Sequence, residues 1–162
     1  MNQERVQQLP ADYVVGYCFQ RDLGAVTLIE KIKPTWQRGK YNGVGGKIEP
    51  GETAPEAMSR EFFEEAGVLI PATEWLHIRT EQFTAAQEHA RSQPVSARVY
   101  HFAVRATAEQ WDAIFTKTEE RIVTVDYPLR WPATDRVIYN LPYLIPMAAI
   151  LLQQPLANRP LP

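Results

Sequence analysis

Glutamates at positions 49, 52, 56, 61, 64 and 65 crowd the segment from Gly45 to Val68, GGKIEPGETAPEAMSREFFEEAGV, where only Lys47 and Arg60 are basic. Carboxylates at that density repel one another unless a cation or a specific network compensates them. A solvated acidic helix would intersperse more Lys or Arg. Thr53 suits an N-cap, Pro55 the first turn, and Glu56, three residues past Thr53, completes a capping box. Gly67 is a natural stop after Ala66, so the pattern predicts a helix between them. On that helix Glu61, Glu64 and Glu65 share one face, while Ala54, Met58 and Phe62 form an apolar stripe that can dock on a sheet. A hard divalent cation, Mg²⁺ or Mn²⁺, would resolve the repulsion, because such ions prefer oxygen ligands. Arg60 can pair with Glu56 or Glu64 one turn away and hold the ligands in place. Three glutamates on a helix face are most often a solvated surface. The glycine-rich stretch NGVGGK immediately upstream, whose backbone can approach a ligand closely, argues for chemistry instead.

Several further elements must position this helix. YVVGYCF (Tyr13 to Phe19) is β-branched and aromatic and predicts a strand, with RDLG as a turn and AVTLIEKI (Ala25 to Ile32) as its hairpin partner. KPTWQRGKYNGVGG is a loop by its Pro and Gly content. EWLHIRTEQFT and SARVYHFAVRA predict strands separated by a polar segment from Ala85 to Pro94. TAEQWDAIF is a short helix or loop, and ERIVTVDY another strand. LPYLIPMAAILLQQ predicts a helix from Leu141, against which Pro146 counts. This mixture of strands and helices indicates an α+β fold, or a mixed sheet with helices on its faces.

The 162 residues, with no repeats and no obvious linker, are expected to form one domain, 1–162, with residues 1–10 and 154–162 as loose termini. A formal net charge of −2 makes no strong case for nucleic-acid binding. No apolar run reaches the length of a membrane span. The polar N-terminus lacks a signal-peptide core, and the single cysteine, Cys18, lies in an apolar run as an inert thiol. A cytoplasmic location fits both. His77, His89 and His101 are scattered and read as structural or solvated. There is no Walker loop, since Lys47 is followed by Ile48 and no glycine sits five residues before Gly46.

The spacing Gly46, Glu52, Arg60, Glu61, Phe62, Glu64, Glu65, Gly67, Val68 resembles the Nudix box: Gly, five residues, Glu, seven residues, Arg-Glu-apolar-any-Glu-Glu-any-Gly-apolar. Every specified place is filled, with Phe62 where an aliphatic residue is commoner. The resemblance implies an α/β/α sandwich with a mixed β-sheet and Mg²⁺-dependent (or Mn²⁺-dependent) hydrolysis of a nucleoside diphosphate linked to X. It implies Glu61 and Glu65 as principal metal ligands, Glu64 assisting and the Gly45 carbonyl completing the cage, with Glu52 and Arg60 orienting them. For the acidic residue that such enzymes add from outside the box, Glu120 is the candidate ligand or general base, with Glu119 as the alternative. KYNGVGGKIEPGE is similar to the triphosphate pyrophosphohydrolases of oxidised purines. That likeness implies Asn42 at the base, though Asn42 equally suits a turn before Gly43. Lys47, and Lys31 or Lys33 on the second strand, would meet substrate, and Trp36, Tyr41 or Trp131 could stack on a base. Asp135 lies in a segment, RWPATDRVIYNLPYLIP, that resembles the family only loosely.

The leading expectation is therefore a (d)NTP diphosphatase, on an oxidised purine such as 8-oxo-dGTP, releasing nucleoside monophosphate and pyrophosphate. A nucleotide-sugar, dinucleoside-polyphosphate or RNA-cap hydrolase is the second enzyme reading, and a non-catalytic nucleotide sensor a third. The expected partner is a small-molecule nucleotide, and a homodimer is compatible with the sequence.

Overall fold

In the computed structural model, residues 11–85, 95–128 and 136–155 are described. Six strands, β1 (Ala11–Phe19), β2 (Ala25–Glu30), β3 (Tyr41–Asn42), β4 (Leu76–Ala85), β5 (Val95–Arg105) and β6 (Arg121–Asp126), form one sheet. Three α-helices, α1 (Ala54–Ala66), α2 (Ala108–Asp112) and α3 (Leu141–Gln153), complete the element list, with 3₁₀ turns at Thr35–Gln37 and Ala72–Glu74. The order β3-β2-β1-β5-β4 is mixed: β1 runs parallel to β5, whereas its pairing with β2 and the β4–β5 pairing are antiparallel. β6 covers the whole of β2 along its other edge, from Ala25↔Asp126 to Glu30↔Arg121.

Alternation along β1 divides the core. Val14 and Cys18 point to one face and pack with Met58, Phe62 and Ala66 of α1; Tyr17 and Phe19 point to the other and pack with Leu144, Ile145 and Ala148 of α3. A helix on each face of a mixed sheet is the α/β/α sandwich the motif implied. The capping box at Thr53 is present, its backbone N–H donating to Glu56 Oε2 at 2.8 Å, and Gly67 closes α1 at φ 75°. α3 begins at Leu141 as the sequence indicates and continues through Pro146. Its buried residues Leu141, Leu144, Ile145, Ala148, Ala149 and Leu152 outweigh the hydrogen bond that the proline removes. Cys18 is fully buried, and burial pushes its thiol far above its ordinary range.

The segment read as loop from Lys33 to Gly46 carries more order than its composition suggested. β2 pairs with β1 only at Val26 and Thr27 and then with β3 at Ile29 and Glu30, so β1 and β3 splay apart. The glycine-rich run fills that fork. Val14 N donates to Gly46 O (2.9 Å), Gly16 N to Val44 O (2.7 Å) and Ile48 N to Asp12 O (2.9 Å), so the loop lies along β1 like an extra strand. Among the described residues no helix is long and apolar enough to cross a membrane.

Candidate active site

The stitched loop brings glycine backbone against the acidic face of α1. A Cβ on Gly46 would lie 2.4 Å from the Glu61 carboxylate and would displace it, and one on Gly45 would lie 2.0 Å from the Val14 carbonyl oxygen, so only glycine fits at Gly45. Gly45 N donates to Glu65 Oε2 at 3.2 Å. Among the described residues the Gly45 carbonyl receives no hydrogen bond, whereas the Gly46 carbonyl is used by Val14.

Arg60 organises the carboxylates around it. Its Nε donates to Glu52 Oε1 (2.6 Å), one terminal nitrogen to Glu52 Oε2 and the Lys47 carbonyl (both 3.0 Å), and the other to Glu61 Oε1 (2.9 Å) and Glu64 Oε2 (3.2 Å). Glu56, one of its two expected partners, is instead held by the Thr53 cap. Hydrogen bonding to Arg60 holds the Glu52 carboxyl below its usual range. Glu64 faces solvent, with its side chain 53% exposed against 13% for Glu61.

Glu61 and Glu65 behave differently from Glu52. Burial, with Glu64 and Glu52 adding to it, raises the Glu61 pKa despite Arg60. Burial likewise pushes Glu65 up to about 7; Lys31 and the Gly45 amide oppose this, and the charges of Glu61 and Glu120 reinforce it. Two half-buried carboxylates whose ionisation burial disfavours would be stabilised as anions by a cation placed between them. Glu120, immediately before β6, accepts from Lys31 Nζ and from the backbone N–H groups of Ile32 (2.8 Å) and Lys33 (3.2 Å). Burial raises its pKa, and the Lys31 bond and the Ile32 amide outweigh that, leaving it below normal. No three acidic or histidine side chains among the described residues converge as a ready-made metal site. Arg60 occupies Glu61 and Lys31 occupies Glu120. The donor set is nevertheless all oxygen, undercompensated, and flanked by a free carbonyl, which is the chemistry a hard divalent cation takes.

A cavity of about 600 Å³ opens beside this cluster, within the range of a small-molecule site. Lys31, Lys33, Gly45 and Gly46 are among its lining residues. Asn42 and Trp36 also line it, the latter half exposed at 52%. Asn42 Oδ1 accepts from Gly43 N at 2.8 Å, the turn contact, while Nδ2 donates to Gln37 Oε1 at 3.3 Å. Both sequence readings of Asn42 thus describe part of its position. Tyr41 is not among the lining residues; it packs against the α3 side of the core with the Arg136 guanidinium over its ring. Lys47 is also outside the cavity, exposed and contributing its carbonyl to Arg60. Trp131, Asp135 and His89 lie outside the described residues.

The cavity is also lined by groups that sequence reasoning passed over: Glu81 of β4, His101 of β5 and Asn140 at the head of α3. His101 is buried, as a structural histidine would be, but it faces the cavity. The available signal was a polar residue at an inward position of each of two neighbouring strands.

A Nudix domain model matches residues 10–144, most of the chain. An oxidized purine nucleoside triphosphate hydrolase of Danio rerio is 50% identical over 32 residues, and the 8-oxo-dGDP phosphatase NUDT18 of Mus musculus 44% identical over 57. These stretches cover 20% and 35% of this chain but only 20% and 17% of the relatives. Among solved structures, a MutT from a study of Aliivibrio salmonicida and Vibrio cholerae superposes with TM-score 0.53 at 20% identity, covering 86% of this chain and 98% of that one. A MutT/nudix family protein from Enterococcus faecalis gives 0.55 at 17% identity, covering 77% and 47%. The fold is theirs, and with the family match across residues 10–144 the chain belongs to the Nudix hydrolase family.

Proposed function

We propose that this chain is a divalent-metal-dependent nucleoside triphosphate diphosphatase, hydrolysing a purine (d)NTP to the monophosphate and pyrophosphate. The observation that carries the reading is that Gly45, whose amide bonds Glu65, and Gly46, whose backbone abuts the Glu61 carboxylate, both line a cavity of about 600 Å³. In this reading Glu61 and Glu65, with Glu64 and the Gly45 carbonyl, hold Mg²⁺. When bound, the cation supplies charge neutralisation at the phosphates and a more acidic water. Arg60 fixes Glu61 through the fork it shares with Glu52. Lys31 and Lys33 meet the phosphate chain at the cavity mouth. Glu120, gripped by Lys31, becomes available to accept a proton once that lysine turns to phosphate. Asn42 and Trp36 lie where a base would enter.

The names of the two curated relatives support an oxidised purine as the base, one at the triphosphate and one at the diphosphate level. The test is a panel of nucleoside triphosphates, diphosphates and nucleotide sugars with Mg²⁺, read by phosphate release with and without added pyrophosphatase. Purine triphosphates should be turned over fastest, with phosphate appearing only after pyrophosphatase. Turnover confined to nucleotide sugars, or none at all, overturns the proposal.

A further inference from the structure

Among the described residues, Glu81 is the one carboxylate that lines the cavity. Asn140 Nδ2 donates to its Oε2 at 2.8 Å, His101 Nε2 lies 3.2 Å from the same oxygen, and the Tyr143 hydroxyl donates to Oε1. Behind His101, Tyr17 is fully buried, and burial first, then Glu81, raises its pKa far above normal, so its hydroxyl stays protonated. Tyr17 OH, 3.2 Å from His101 Nδ1, therefore donates to it. Burial lowers the His101 pKa to about 4, so the ring is neutral and carries its one proton on Nε2, directed at Glu81. The whole relay points its hydrogens at one carboxylate. Burial raises the Glu81 pKa, and the Tyr143 and Asn140 bonds outweigh that, so Glu81 is ionised and acts only as an acceptor.

A carboxylate offers about four lone-pair sites. Asn140 and His101 take the two on Oε2, and Tyr143 takes one on Oε1. Arg79 Nε stands 3.6 Å from Oε1, an ion-pair separation too long for a hydrogen bond. One acceptor site on Oε1 is left. Asn140, itself 7% exposed, adds a second: its Oδ1 is buried with no hydrogen-bond partner, an uncommon state for a buried polar atom. The amide that bonds Glu81 through its nitrogen thus carries an unmet acceptor beside it. The wall also includes apolar Val15, Ala97, Val99 and Ile138.

The open acceptor site on Glu81 and the unmet Oδ1 of the amide bonded to it ask for two neighbouring N–H donors. On the nucleoside triphosphate reading above, we infer that Glu81 is a specificity-determining residue, which with Asn140 selects a base edge carrying adjacent donors, that of guanine. His101 and Tyr143 are positioning residues, fixing the carboxylate. Guanine presents N1–H beside its 2-amino group. Adenine and cytosine each place an acceptor next to their amino group, and thymine flanks its single N–H with two carbonyls, so each leaves an acceptor of the wall unpaired. Hypoxanthine keeps N1–H and lacks the amino group.

The test compares dGTP with dITP, dATP, dCTP and dTTP on the wild type and on Glu81→Gln, and measures GMP and IMP binding without metal by calorimetry. Glu81→Gln keeps the size and replaces an acceptor oxygen by a donor amide. The wild type should favour dGTP over dITP by roughly tenfold or more in kcat/KM, mostly through KM, and bind GMP more tightly than IMP. In Glu81→Gln both ratios should fall toward one. Loss of packing alone would slow every substrate in proportion and leave the ratios standing, which overturns the inference. Tyr143→Phe retains the carboxylate and serves where Glu81→Gln folds poorly: it should lower the dGTP to dITP ratio partially, and an unchanged ratio also counts against Glu81. Turnover of triphosphates without a guanine preference sinks Glu81 and leaves the hydrolase proposal standing. A GMP preference that depends on Glu81 without any triphosphate turnover does the reverse.

Discussion

At the scale of single residues, Glu65 and His101 give the molecule two titrations of opposite sense. Glu65 has its folded pKa raised from 4.5 to about 7 by burial. Between those values the unfolded chain has lost its proton and the folded chain has not, so rising pH lowers stability across that window. The upward shift at Glu61 acts in the same sense. His101 has its folded pKa lowered from 6.5 to about 4 by burial, so between about 4 and 6.5 rising pH increases stability. The two slopes oppose each other in the metal-free protein. Glu65→Gln should unmask the His101 slope, with urea midpoints rising from pH 5 to 6.5, whereas His101→Gln should show a falling trend to pH 7. A Glu65→Gln protein with the wild-type pH profile would show that Glu65 is ionised throughout. The same variant should stay folded yet lose at least ~100-fold in kcat with saturating Mg²⁺, the scale of several kcal/mol at one metal-binding carboxylate. Near-normal turnover in folded Glu65→Gln would refute the metal assignment.

Elements place these residues, and they differ in how far local signals announce them. Helix α1 was legible because its cap, its stripe and its stop are all local: Thr53 with Glu56, Met58 with Phe62, and Gly67 at positive φ. The course of Gly43 to Lys47 was not, because its strand-like pairing with β1 exists only where β1 and β3 splay. Glu81, His101 and Asn140 were missed for a related reason. They are brought together by the β4–β5 pairing, with its irregularity between His77 and Arg79, and by the head of α3, so no spacing in the sequence links them. Pro146 counted against the helix predicted from Leu141, which forms all the same, since tertiary burial decides a helix that local propensity disfavours. Gly46 and Gly67 allow the element-level account to be tested. Gly46→Ala would drive a methyl into the Glu61 carboxylate, so it should weaken Mg²⁺ activation at least tenfold, with only a modest fall in Tm. Gly67→Ala meets both a positive φ and the Phe115 ring at 2.3 Å; it should cost ~1–3 kcal/mol in chemical denaturation while leaving the Mg²⁺ midpoint in place. If Gly46→Ala leaves Mg²⁺ activation intact, the loop is not set by the helix carboxylates.

For the whole molecule, the decisive feature is that the cavity joins the glycine loop, which abuts the α1 carboxylates, to the head of α3. The carboxylate cluster comes from α1, whose core includes Val14, Met58 and Phe62; Asn140 heads α3, whose separate core includes Tyr17, Leu144 and Ile145. A nucleotide reaching from Gly45 to Asn140 would therefore tie the two layers through the sheet. Ligand that binds only the folded state stabilises it by ~2.7 kcal/mol at a hundredfold excess over Kd. In a chain of this length that corresponds to a Tm rise of roughly 5–10 °C. A non-hydrolysable dGTP analogue with Mg²⁺ should produce such a shift in the wild type. Leu144→Ala, which opens a hole in the α3 core, should lower the starting Tm by an amount equivalent to ~2–5 kcal/mol and still show the ligand-induced rise, because it touches neither end of the cavity. Glu65→Gln should do the opposite, keeping a normal starting Tm, retaining the shift with metal-free GMP and losing the increment that Mg²⁺ adds to the triphosphate analogue. If Mg²⁺ stabilises the Glu65→Gln complex as strongly as the wild-type one, the cation does not sit between α1 and the phosphates, and the link between the two halves of the site fails.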